Sequence, residues 1–302
     1  MKRILFSTGI IIFTLLAVTA GGTGAFFSDT ETSAGNTFTA GSIDLKIDNE
    51  SYYNGALSPD TSWSLTDLTI QKFFNFLDLK PGDIGEDTIS LHVENNDSYV
   101  CANVTLTSND DNGLTEPEAL VDQSDGVGNG ELADNVNFIW WADDGDNVLE
   151  MGENLLPGGT LGVMPVGSST TVTLADSATN IWGGAGPIPG GETRYIGKAW
   201  CFGSMTPTHL EQDNFGVDSP RTPANSNGGV SCDGSLLGND TQSDSLTADV
   251  SFSAVQSRHN DSFLCVKEVP PPVLVACSNP TVQKWVDSSV FFGQGKRRQK
   301  RF

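Results

Sequence analysis

Thirteen carboxylates lie between Asp110 and Glu153, with no Lys or Arg among them. Such a run repels itself, and a hard cation relieves the repulsion. Ca²⁺ takes about six to eight oxygens, which closely spaced carboxylates on a tight Gly-containing turn supply best. The segment WWADDGDNVLEMGE, 140–153, has that form, with Asp143, Asp144 and Asp146 around Gly145 and with Glu150 and Glu153 downstream. Its register is not that of an EF-hand loop. DQSDGVGNGE, 122–131, is a second candidate through Asp122, Asp125, Asn129 and Glu131. The competing reading of both is an acidic surface hairpin of a protein kept soluble by charge. No organic cofactor is expected.

Hydrolytic chemistry has less to stand on. A zincin needs two imidazoles one helical turn apart with a Glu between them. His92, His209 and His259 are far apart, and none lies in an H-E-x-x-H. There is no G-x-S-x-G elbow and no local cysteine-protease signature. His92, between Leu91 and Val93, falls opposite in parity to the apolar positions and reads as a solvated strand histidine. The chain is therefore expected not to be an enzyme.

Five cysteines, Cys101, Cys201, Cys232, Cys265 and Cys277, have neither the C-x-x-C spacing nor the nearby histidines of a zinc site. Two disulfides and one odd thiol are the default in an exported chain. Four cysteines allow three pairings; Cys201–Cys232 would staple the long loop between them, leaving Cys101–Cys265. Cys277 is then left over, either to bridge to another chain or to remain a reduced thiol.

These groups must be carried by strands. Period-two alternation marks SIDLKID, TISLHVE, YVCANVTLT, NVNFIWW, TTVTLA, RYIGKAW and LTADVSFSA, and no comparable run has the spacing of a long amphipathic helix. QKFFNFLDL, 71–79, fits a short helix or a buried strand; Pro81-Gly82 behind it favours the strand. Polar insertions at 108–133, 176–193 and 203–245 separate the strands. The expected fold is all-β, a decorated antiparallel β-sandwich of the jelly-roll or immunoglobulin-like kind, spanning 26–266. VPPPV at 269–273 opens a stiff linker, and 267–302 is expected to be a disordered, Pro-rich linker and basic tail.

The chain has 302 residues and a formal charge of −22, which makes nucleic acid a poor partner. Without Lys2, Arg3 and the five basic residues of KRRQKR, nine basic residues face 38 acidic ones, leaving a body at −29. Residues 1–25 read as a secretory signal. Lys2 and Arg3 precede an apolar run, and a small-residue exit, GGTGA, places cleavage after Ala25. A permanent membrane helix is the alternative, but Ser7, Thr8, Gly9 and Thr14 interrupt the run and no basic stop-transfer cluster follows. No membrane span is expected in the mature chain, which is expected to be secreted to the extracellular matrix or the cell surface.

AFFSDTETSAGNTFTAGSIDLKID, residues 25–48, resembles the mature amino terminus of the TasA and camelysin family of secreted proteins. The matching positions are Phe27, Asp29, Asn36, Phe38, Ala40, Gly41, Ile43, Asp44 and Leu45. LDLKPGD, 77–83, is a second family-like element. The resemblance covers the signal and about the first 95 residues. It implies removal of the signal by a SipW-type signal peptidase and assembly into extracellular fibres of a biofilm matrix. It also carries, through the name camelysin, a metalloprotease activity for which the histidines give no support.

An exposed sheet edge can accept an extended strand from a neighbour. The donor expected here is 26–41, freed by signal cleavage, with Phe26, Phe27 and Phe38 as anchors and Asp29, Asn36, Ala40 and Gly41 in the same stretch. The contact is head-to-tail and gives a homopolymer. Alternatively 26–41 is the first strand of its own sandwich. The tail KRRQKR could attach to cell-wall or matrix components or have no role. The leading reading is a secreted structural protein that forms or joins fibres by donor-strand exchange. A monomeric Ca²⁺-stabilised binding or adhesion module is the alternative, and a camelysin-like metalloprotease comes third.

Overall fold

The computed structural model describes residues 43–266. The signal segment with its cleavage point, the candidate donor strand 26–41, Cys277 and the tail lie outside the described residues. The strands are β1 (Asp44–Tyr53), β2 (Ala56–Leu57), β3 (Trp63–Thr66), β4 (Ile84–Glu94), β5 (Ser98–Asp110), β6 (Val136–Asp143), β7 (Leu155–Thr160), β8 (Ser169–Ala175), β9 (Glu192–Phe202), β10 (Ser204–Pro207), β11 (Val230–Asp233) and β12 (Ser245–Gln256). All seven alternating runs lie on strands, namely β1, β4, β5, β6, β8, β9 and β12. Among the described residues the α-helices are single turns, Leu132–Asn135 and Pro223–Ser226, and no helix is long and apolar enough to cross a membrane.

Two antiparallel sheets pack face to face. The larger has the order β2-β1-β4-β9-β6-β7, with β3 also on β1; the smaller is β12-β5-β8. A ribbon, β10-β11, lies in the 203–245 insertion. Alternation puts Ile47, Ile89, Leu91, Val93, Trp140 and Ile196 of the larger sheet against Val100, Ala102 and Leu174 of the smaller. Each fully buried aliphatic side chain contributes about 1.5–3 kcal/mol, so this interlayer fixes the register of both sheets.

QKFFNFLDL forms neither strand nor helix. Its three Phe residues, at 73, 74 and 76, follow no strand or helix period. Instead an irregular segment spreads them over the open end of the sandwich. Phe73 meets Trp63 edge-on at 5.0 Å, and Phe76 stacks on Tyr53 at 4.6 Å. Beneath this cover sits a buried ion pair. Lys198 and Asp87 are register partners on β9 and β4, each about 1% exposed or less, and their charged ends meet. The Phe74 and Phe138 rings approach the ammonium at 5.8 and 6.0 Å.

Two disulfides close the frame: Cys101–Cys265 ties β5 to the segment after β12, and Cys201–Cys232 ties β9 to β11. Each such bridge typically adds about 2–4 kcal/mol, and their presence is the chemistry of an oxidising compartment.

Candidate functional site

The acidic loop begins where β6 ends. Trp141 is fully buried because Gly197, opposite it on β9, has no side chain; a Cβ there would overlap the indole. The indole Nε1 donates to Asp143 Oδ1 at 2.9 Å. The other Asp143 oxygen accepts from the Gly145 and Asn147 amides at 3.0 and 3.3 Å. Both residues have positive φ, 113° at Gly145 and 61° at Asn147, so the chain curls around this carboxylate. Glu153 does the same from the other side, accepting from the Asp144 and Glu150 amides at 3.0 and 2.8 Å. Asp143 and Glu153 thus spend their oxygens building the loop.

The remaining three of the five expected ligands are brought together. Asp144, Asp146 and Glu150 each offer one carboxylate oxygen, and the three lie within 4.8 Å of one another. On each, one oxygen is held. Gln212 Nε2 donates to Asp144 Oδ2 at 3.2 Å, the Val148 amide to Asp146 Oδ1 at 2.9 Å, and Arg221 Nη1 to Glu150 Oε1 at 2.6 Å. The opposite oxygens, Asp144 Oδ1, Asp146 Oδ2 and Glu150 Oε2, are buried without a hydrogen-bond partner. Burial pushes Asp146 up to about 6, with Asp144 and Asp213 adding. It pushes Glu150 up to about 7 in spite of Arg221. Asp143 rises to about 7 and Glu153 to about 9, again chiefly through burial. An oxygen-only donor set of this kind suits a hard divalent cation such as Ca²⁺ better than zinc.

The second expected set is not gathered. Asp122 accepts from Gln123 and Ser124 in a local turn. Asn129 donates to the Asp125 carbonyl at 2.7 Å, and Glu131 accepts from the Ser124 hydroxyl at 3.0 Å. The Ser124 hydroxyl also donates to Asp122, so it bridges two of the four carboxyl and amide groups, but the four do not converge as a set of ligand oxygens. The sequence reading missed Gln212, Asp213 and Arg221, which reach the acidic loop from the 203–245 insertion; Arg221 Nε also meets Asp213 Oδ2 at 3.2 Å. A cleft of about 230 Å³ beside the loop is lined by Asp48, Glu50, Tyr195 and Arg221, among others. His92 is on the outer face, half-buried rather than fully solvated; its Nε2 contacts Asp48 at 2.9 Å and its Nδ1 Thr193 at 3.0 Å.

A different feature concerns assembly. Among the described residues β12 pairs with β5 alone, so one edge of this twelve-residue strand is open. Its apolar row, Leu246, Ala248, Val250, Phe252 and Ala254, is only half-buried. The first residues of β1 pair with β4 on one side, and β3 joins the other side only from Ile47 onward. Between these two incomplete edges runs a groove of about 370 Å³ lined by Ile43, Leu45, Ile47, Leu68, Phe252 and Ala254, with Asp67 as its one charged member.

Compared with known proteins, the chain matches no family model and no curated protein.

Proposed function

We propose that this chain is a secreted structural subunit that joins extracellular fibres of a cell-surface or biofilm matrix. The groove between β1 and β12 takes the strand 26–41 of a second copy. The observation that carries this reading is the coincidence of a twelve-residue strand edge left open among the described residues with a half-covered apolar row beside a groove lined mostly by apolar side chains. An incoming extended segment gains ladder hydrogen bonds from that edge and seats alternate side chains, Phe38 among them, in the groove. The amino-terminal resemblance to TasA and camelysin supports the same reading, as do the two disulfides. The contact is heterologous and propagates as a filament. No catalytic role is assigned. Ca²⁺ at Asp144, Asp146 and Glu150 holds the acidic loop, whose oxygens otherwise repel.

The test is electron microscopy and sizing of the secreted protein with and without residues 26–38. Filaments from the full mature chain and folded monomers from the truncated one support strand exchange. Filaments that persist without 26–38 overturn it. A second reading, a Ca²⁺-stabilised binding or adhesion module, is favoured by the cleft beside Tyr195 and Arg221. Monomers from the full mature chain would favour that module.

A further inference from the structure

A second group of carboxylates comes together from three places that the sequence keeps far apart. Asp111 follows β5, Glu118 opens the single turn Glu118–Leu120, and Asp244 stands immediately before β12. One oxygen from each lies within 4.8 Å of the others. Asp111 is 3% exposed and Glu118 fully buried; Asp244 is half-buried.

Each carboxylate is anchored through one oxygen and idle at the other. Asp111 Oδ1 accepts from the Gly113 amide at 2.8 Å. Glu118 Oε2 accepts from the Thr115 amide at 3.0 Å and the Ser243 hydroxyl at 3.1 Å. Asp244 Oδ2 accepts from the Glu131 and Leu132 amides at 2.6 and 2.9 Å. Asp111 Oδ2, Glu118 Oε1 and Asp244 Oδ1 are buried with no partner, and so is Glu131 Oε2. No basic side chain forms a salt bridge to any of these carboxylates among the described residues.

Buried carboxylates with no counter-charge and with one oxygen left without a donor are costly unless something neutralises them. Here the donors fix the orientations, one oxygen of each carboxylate lies within 4.8 Å of the others, and each carboxylate keeps one oxygen without a donor, which a bound cation would satisfy. Two oxygens held by one Ca²⁺ at about 2.3–2.6 Å can stand up to roughly 5 Å apart, so the observed spread fits an ion of that size. We propose that Asp111, Glu118 and Asp244 form a second divalent-cation site, specific for a hard ion such as Ca²⁺. It fastens the start of β12 to the end of β5 and to the turn at Glu118. This site stands apart from the acidic loop and does not depend on whether the chain polymerises.

Calorimetric titration of the full secreted chain, stripped of metal, with CaCl₂ alone tests it. Two ions per chain are expected; Glu118→Gln should leave one, Asp146→Asn the other one, and the double variant none. A wild type that binds one ion, removed by Asp146→Asn, overturns the second site and leaves the acidic loop intact. A wild type whose single ion is removed by Glu118→Gln overturns the acidic-loop assignment instead. Hydrogen exchange on the wild type guards against a variant that fails to fold. CaCl₂ should slow the Gly113, Thr115, Glu131 and Leu132 amides by about tenfold or more, and unchanged rates at those amides overturn the proposal.

Discussion

Replacing Glu86 by Gln should change how stability depends on pH. Glu86 lies on β4 on the face away from the interlayer, 3% exposed. Gly228 covers it so closely that a Cβ there would collide with the carboxylate, and its Oε1 has no partner. Burial, reinforced by the neighbouring Asp87, pushes its pKa up from 4.5 to about 8. Because the folded pKa is raised, the folded chain keeps a proton that the unfolded chain releases. Stability is fully present below about pH 4.5, falls as pH rises through the window up to about 8, and levels above it. With each pK unit worth about 1.4 kcal/mol, this group alone removes about 2–3 kcal/mol between roughly pH 5 and pH 7. The acidic-loop carboxylates titrate in the same direction, so the informative quantity is the difference between wild type and Glu86→Gln. Urea unfolding followed by Trp fluorescence, at several pH values and constant chelator, measures it. The variant should gain on the wild type by about that amount over the interval. Parallel curves would show that Glu86 ionises normally in the folded state and that the 223–229 turn does not seal it.

Lys198→Met strands the Asp87 carboxylate in the core and should cost about 3–5 kcal/mol in denaturant unfolding; replacing both partners by apolar residues should recover much of that. Gly197→Ala drives a methyl into the Trp141 indole and should cost about 1–3 kcal/mol, with altered Trp fluorescence because the ring must move. Asp146→Asn should abolish the thermal stabilisation given by the acidic-loop ion, while Asp143→Asn should weaken the loop itself even with chelator present. Ala254→Lys places an ammonium in the apolar groove beside β12, and sizing should show folded monomers in place of polymers.

The long strands were legible because one face of each is committed to the interlayer, and that commitment writes a period of two into the chain. Lys198, in the alternating run RYIGKAW, sits inside with the Phe74 and Phe138 rings near its ammonium and its charge on Asp87. β2, β3, β10 and β11 are too short to show a period, and β7, LLPGGT, carries Pro157, Gly158 and Gly159 in place of a repeating pattern. The Phe cluster at 73–76 misled because burial came from covering an open end, which imposes no period. The acidic run was visible as composition, but its division of labour was not. Asp143 and Asp144 are adjacent and chemically identical, yet Trp141 and two amides claim the first, and the second keeps an idle oxygen. Asp244 could not be paired with Asp111 from sequence, since only the β5–β12 ladder brings the two ends together.

The bridge between Cys101 and Cys265, 164 residues apart, has a mechanical side. Tension entering through the residues before Cys101 and leaving through those after Cys265 passes across the sulfur bridge and bypasses everything between. That closed stretch withholds up to roughly 550 Å of chain length from any pull, leaving only the segments outside the Cys101–Cys265 loop free to pay out. A subunit strung in a filament would therefore be short-stroked and stiff under load, and would lengthen sharply only where a reductant opens the loop.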